Sequence, residues 1–327
     1  MNRFLKSALL RTGTAVACTL IGFGAQAQGF PNKPITIVVP YAAGGPTDIT
    51  ARRLAEGMGK TLSTTVLVEN RPGAATTLGA AYVARAPKDG YTLLMAPGST
   101  TSINPYIYSK LTYKFEDFAP VSQVSRQGFA LTAAPNVPVK NMKEFVAWAK
   151  SKDSPVTYAT TGTGSLTNIL GEWVGRTLGV KMTEVPYKGT AAAYADLLGG
   201  RVDINVEGLS SAITLHNAGK MKVIGVMTEE RSPQMPEVGT MGEAGYPKLI
   251  AYTNFGLLAP ADTPTDVIKK LHAGVVAAVA DAEFTAKLAA GGEQAVSSKS
   301  PKQFGDFLKS EYVQWGEIVK PLNLKLD

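Results

Sequence analysis

Residues 35–48 read Ile35-Thr36-Ile37-Val38-Val39-Pro40-Tyr41-Ala42-Ala43-Gly44-Gly45-Pro46-Thr47-Asp48. A β-branched apolar run stops at a proline, a glycine pair follows, and Pro46 opens a helix with Asp48 in its first turn. Ile49, Leu54, Ala55, Met58 and Leu62 then recur at helical spacing, so the helix runs from about Pro46 to Leu62. Strand, glycine turn and helix in that order are the unit of an α/β protein.

The unit repeats along the chain. Strands are expected at 66–70, 91–96, 156–160, 182–187, 202–207 and 221–227, and helices near 77–85, 165–178 and 191–200. Strands alternating with helices imply parallel sheets covered on both faces. The segments 129–150 and 255–275 share a layout: an apolar strand, Ala-Pro, a second proline three residues on, and an amphipathic helix. They look like equivalent crossings between two lobes. The domains expected are a signal peptide at 1–27, one lobe from 28–127 with 253–327, and a second from 128–252. The hinge falls near 125–130 and 250–256. The C-terminal helices, near 264–281 and 301–318, are expected to pack on the first lobe.

The N-terminus has the form of a secretory signal. Arg3, Lys6 and Arg11 precede an apolar stretch, and Ala25-Gln26-Ala27 is a small-x-small cleavage pattern, giving a secreted protein cut after about Ala27. Cys18 is the only cysteine and lies inside this segment, so the mature chain has no thiol. A lipidated Cys18 is the alternative, although no leucine stands among Ala15-Val16-Ala17. Three of the seven surplus positive charges sit in the signal, which leaves the rest at +4. That balance is mild, and no Lys/Arg run of nucleic-acid type is present.

Four loops have the composition of an anion cradle. They are Ala42–Gly45, Pro97–Ser102, Thr161–Ser165 and Tyr187–Thr190, each following a strand. Glycine lets main-chain N–H groups turn toward a ligand, and the first turn of a helix offers unpaired amides at its positive end. Each charge-assisted hydrogen bond contributes about 1.5–3 kcal/mol. Two or three in a closed cleft offset the cost of burying a carboxylate. Asp48 is either a ligand contact or a cap of its helix. Tyr41 either walls the cleft or packs in the core, and Lys188 either neutralises an anion or is a solvated surface lysine. Glu207 and Asp203 share a strand face, with Glu207 toward the cleft or on a solvated edge. The two histidines, His216 and His272, sit in no catalytic motif, and no metal cluster or nucleophile elbow is present. The chain is not expected to be an enzyme, and no cofactor or metal is implied.

The segments KPITIVVPYAAGGPTDITAR, VENRPGA, PKDGYTLL, INPYIY, DFAPVSQV, VPYKGTAAAYADLLGGRVD and GLLAPADTP together resemble the Bug family, the periplasmic solute receptors of tripartite tricarboxylate transporters. The likeness runs through nearly the whole mature chain. It implies a two-lobed periplasmic-binding-protein fold (α/β, type II-like), with two parallel or mixed sheets flanked by helices and a ligand cleft between lobes. It further implies a small organic carboxylate as ligand and membrane permease subunits as partners. By the resemblance, Ala43, Gly44 and Gly45 grip a carboxylate with Tyr41 beside them. Ser99 and Thr100 contact ligand from the first lobe, and Thr161, Gly162, Thr163 and Ser165 from the second. Tyr187, Lys188 and Gly189 match a further family loop. The chain departs from the family at Ala75-Thr76-Thr77, Leu166-Thr167-Asn168, Glu207 in place of an aspartate, and Asn254 in place of a tryptophan. The receptor is expected to act as a monomer. A receptor reporting to a sensor kinase and a periplasmic hydrolase are the alternatives.

Overall fold

The computed structural model describes residues 29–73 and 76–326. The signal peptide, its cleavage site and Cys18 lie outside the described residues, as do Ala74 and Ala75.

In chain order the elements are β1 (Ile35–Val39), α1 (Pro46–Leu62), β2 (Val66–Asn70), α2 (Thr77–Ala84), β3 (Thr92–Pro97), α3 (Gly98–Ser102) and α4 (Asn104–Ile107). A long strand β4 (Phe118–Ala133) follows, then α5 (Met142–Ser151), β5 (Val156–Thr160), α6 (Leu166–Leu178), β6 (Met182–Pro186) and α7 (Thr190–Leu198). The chain continues through β7 (Ile204–Gly208), α8 (Leu209–Asn217), β8 (Lys222–Val226), β9 (Tyr252–Pro260), α9 (Thr265–Val279), α10 (Ala282–Ala290), β10 (Glu293–Ala295) and α11 (Pro301–Val319).

The strands form one connected sheet with two halves. The first half has the order β2-β1-β3-β9-β4, with β10 on the far side of β4; the second runs β4-β7-β5-β6, with β8 also on β4. β4 belongs to both. Its residues from Phe118 to Gly128 pair with β9, and Phe129 to Ala133 pair with β7. The chain returns where Ala251 donates to Met227 in the second half and Tyr252 pairs with Gly128 in the first. The crossings thus fall at 128–129 and 251–252. Gly128 permits the first of them, because a Cβ there would stand 2.3 Å from the Thr228 methyl and 3.0 Å from Leu209.

The first half shows why its strands read as unbroken apolar runs. Ile37, Val39, Leu93 and Leu257 face Leu54 and Met58 of α1 and Leu271 of α9. The intervening Val38, Leu94 and Leu258 face Ala80 of α2 and Phe304 and Leu308 of α11. Both faces are covered, so both registers of the period-two pattern are apolar. Ile49, which shares the helical spacing of the α1 stripe, is 42% exposed and lies outside that core. In the second half Leu131, Ile204 and Val206 face Phe145 of α5 and Ile169 and Val174 of α6. The α11 helix packs on the first half and reaches beyond it. Its N-terminal Phe304 and Leu308 pack on that half, but Trp315 and Val319 join the second-half core, and Leu322, Leu324 and Leu326 extend the same contact. The apolar spacing runs past the end of the helix and needs that second surface.

Candidate functional site

The strand directions decide where the loops go. β3 is antiparallel to β9, and β9 to β4, so β3 and its parallel neighbour β1 run with β4 toward the second half. β7 is antiparallel to β4, and β5 and β6 run parallel to β7, so these three run back toward the first half. The carboxyl ends of β1 and β3 therefore oppose those of β5, β6 and β7 across the crossing. Tyr41 to Asp48 follow β1, Ser99 and Thr100 follow β3, Thr161 to Ser165 follow β5, Tyr187 to Gly189 follow β6, and Glu207 is the last residue but one of β7. Every site residue expected from sequence lies at one of these five opposed ends, where open α/β sheets place their ligands.

In the first loop, Gly44 has φ +84°, a backbone region that favours glycine. Asp48 holds the loop from beneath. It is 3% exposed and accepts from the Gly44 amide at 2.9 Å, the Arg52 guanidinium at 3.0 Å and the Asn70 amide at 2.9 Å. Burial raises its pKa, but these hydrogen bonds and the Arg52 charge outweigh burial and hold it below the usual aspartate value. Asp48 is thus an organiser of the loop, and it occupies the Gly44 N–H. The helix behind is left open. Gly45 is its N-cap with no side-chain hydrogen bond, and Pro46 brings no N–H. Tyr41 retains 38% exposure, but its hydroxyl meets the Ser99 side chain, and burial of that end pushes its pKa up to about 12. Thr100 turns inward. It is fully buried, its hydroxyl 3.0 Å from that of Thr76 and its carbonyl accepting from Tyr113 at 2.8 Å.

The second-half loops satisfy themselves more completely. The Ser165 hydroxyl accepts from the Asn168 amide and caps α6, while Asn168 Oδ1 accepts from Gly164 at 3.0 Å. Thr161 donates its amide to Thr167 Oγ1, Gly162 donates to Thr160 Oγ1, and the Thr163 hydroxyl donates to Glu184 at 2.9 Å. The Tyr187 hydroxyl donates to Asp196 at 2.6 Å, and burial followed by that carboxylate pushes its pKa up to about 12. Lys188 is exposed, and Gly189 has φ +111°. Asp203 lies at the opposite end of β7 from the loops, tied to Lys152 at 2.9 Å and to Thr157.

Helix starts without a side-chain cap include most of those at these loops, and α2, α4 and α9 also begin so, at Thr76, Ile103 and Pro264. The helices α1, α3, α7 and α8 start at Gly45, Pro97, Gly189 and Gly208, none with a side-chain cap. By contrast α5, α10 and α11 are capped by Asn141, Asp281 and Ser300. Of the helices that begin at the opposed strand ends, α6 alone carries a protein cap. Open first-turn amides at a helix's positive end are what an anionic ligand uses. Two cavities, of about 370 and 770 Å³, flank the crossing at Arg126 and Tyr252, away from these loops.

Sequence reasoning missed Arg52 and Asn70 under the first loop, Glu184 beside the third and Tyr194 beside Glu207, and it named Thr167 and Asn168 only as departures from the family, not as residues that shape the third loop. Only Asn168 left a signal, three residues after Ser165 in the spacing of a capping box. Asn254 is 5% exposed. It accepts from Gln123 at 2.9 Å and donates to Glu311 at 2.8 Å, linking β4, β9 and α11.

The sequence pattern of the tripartite tricarboxylate transporter family receptor, TctC, matches residues 50–324. The chain belongs to this receptor family. It is 34% identical to the periplasmic binding protein BugD over 91% of this chain and 100% of BugD, with a TM-score of 0.77. R. palustris Rpa4515, solved with adipate, is 29% identical over 91% of this chain and 100% of its own, with a TM-score of 0.80. MatC from Rhodopseudomonas palustris, solved with bound malate, is 32% identical over 89% of this chain and 100% of its own, with a TM-score of 0.75. The fold is accordingly that of the TctC-type periplasmic binding proteins, and TctC receptors are solute-binding proteins, not enzymes. No helix among the described residues is long and apolar enough to cross a membrane.

Proposed function

We propose that this TctC-family chain captures a small organic carboxylate in the periplasm and hands it to the permease subunits of a tripartite transporter. The observation that carries the reading is the opposition of strand ends: β1 and β3 meet β5, β6 and β7 with uncapped helix starts on both sides. Adipate and malate in two related structures support a carboxylate as the ligand. In this reading the lobes are residues 28–127 with 253–327, and residues 128–252. The two strand crossings act as the hinge. The ligand carboxylate sits on the open amides at the start of α1, flanked by Tyr41 and Ser99, and the loops at 161–165 and 187–189 close on it. Donors from both lobes are engaged together only when the cleft is shut, so ligand favours the closed state.

A thermal-shift screen of the mature protein against small mono-, di- and tricarboxylates tests this. Ligand at 100 times Kd adds about 2.7 kcal/mol of stability. Carboxylates are expected to raise the melting temperature, and their methyl esters or amides to lose most of the rise. Equal shifts from the neutral analogues would falsify the carboxylate reading.

A further inference from the structure

Glu207 is the last residue but one of β7, beside Gly208, whose backbone abuts the Gln127 side chain on β4 at the strand crossing. Its neighbours at the residues around it are neutral. Glu207 Oε2 accepts from Asn205 Nδ2 at 3.1 Å, and Oε1 accepts from the Gly208 amide at 3.0 Å. Asn205 and Glu207, two apart on one strand, share a face, while Ile204 and Val206 face the core under α6. Asn205 is 3% exposed, yet its Oδ1 has no hydrogen-bond partner. The reverse orientation of that amide is excluded, since it would set Oδ1 3.1 Å from a carboxylate oxygen. The Tyr194 hydroxyl from α7 is directed at the same carboxylate and at the Ser211 side chain. The open capacity of this cluster is therefore acceptor in kind: Oδ1 of Asn205 and the free lone pairs of Glu207.

We propose that Glu207, Asn205 and Tyr194 form a subsite for an ammonium group, so that the solute is an amino-bearing carboxylate. The inference rests on the carboxylate reading above. An ammonium group, with three N–H donors, satisfies both acceptors at once, and an unpaired buried acceptor is costly to leave. Burial raises the Glu207 pKa, and no positive side chain contributes to lowering it. A ligand ammonium supplies the missing charge. A carboxylate at the start of α1 and an ammonium at the end of β7 would also engage the two halves of the sheet with opposite ends of one molecule.

Isothermal titration with matched pairs tests this: succinate with aspartate, glutarate with glutamate, and butyrate with 4-aminobutyrate. In at least one pair the amino member is expected to bind tenfold or more tighter than its partner. Glu207→Gln should reduce that preference to under threefold, and Tyr194→Phe should reduce it by a smaller factor; the second variant serves if the first does not fold. Equal affinity within every pair that binds, or a preference untouched by either substitution, overturns the subsite and leaves the carboxylate reading standing. Failure of every member to bind, together with no melting-temperature rise from any carboxylate in the thermal screen, overturns both.

Discussion

Asp48 shows how one side chain sets the shape of the loop after β1. Its carboxylate joins Gly44, Arg52 and Asn70, which come from the loop, from α1 and from the end of β2. Asp48→Ala leaves those donors without their acceptor, and is expected to cost about 2 kcal/mol of stability in urea unfolding. The pH dependence has a definite sign. The folded pKa is depressed, so the stabilisation is complete above the ordinary aspartate value of 3.8 and is lost as pH falls through the lower folded value. Acid unfolding followed by circular dichroism should therefore shift to higher pH in an Asp48→Asn variant that remains folded. Gly45→Val places a branched side chain at the open start of α1. It is expected to weaken carboxylate binding at least tenfold while the protein stays folded. Unaltered affinity would remove that loop from the site.

At the scale of elements, the helix starts divide into capped and open ones. Ser165 belongs to the capped group, since its hydroxyl accepts from Asn168. Ser165→Ala should cost about 1 kcal/mol of stability through loss of the cap, measurable with no ligand present. Any further weakening of carboxylate affinity, corrected for that loss, reports on contact with the solute. Gly128 is the corresponding constraint in the strands. With a Cβ contact of 2.3 Å to Thr228, Gly128→Ala overpacks the crossing and is expected to destabilise by about 1–3 kcal/mol. A fully stable Gly128→Ala protein would show that the crossing has room to spare.

Across the whole molecule, among the described residues, three glutamates near the crossing or the loops are drawn out of water: Glu293, which is buried, and Glu207 and Glu311, which are half-buried. Burial is the largest influence on each, and it raises each pKa above the usual 4.5. The Glu293 oxygens accept from Ser125 and Thr50, and Glu311 accepts from Asn254. A group whose folded pKa is raised stabilises fully below its unfolded pKa and loses that contribution as pH climbs through the folded value. The contribution of these groups to the melting temperature of the free protein is expected to fall as pH rises above the ordinary glutamate value of 4.5. Glu311→Gln should flatten part of the slope; a flat profile in the parent protein would contradict it. All three carboxyl groups lie where halves or layers meet, so this stability term is tied to how the parts are assembled.

The elements and their order were legible in the sequence because each depends on neighbours in the chain. The apolar run of β1, the Pro46 helix start and the glycine turns needed no distant partner to be recognised, and the expected bounds of α1 and β5 agree with the observed ones. The receptor family was legible for the same reason, since its motifs are local. What folding alone decided is direction and pairing. Only the ladder of β4 with β9 and β7 turns the five loops toward one another, and only burial in three dimensions separates Thr100 and Asp48, held in the interior, from Tyr41, left facing solvent. The partners that give Glu207 its character come from α7 and from its own strand's inner face. Their effect comes from desolvation, which depends on every surrounding layer and leaves no mark in the order of residues.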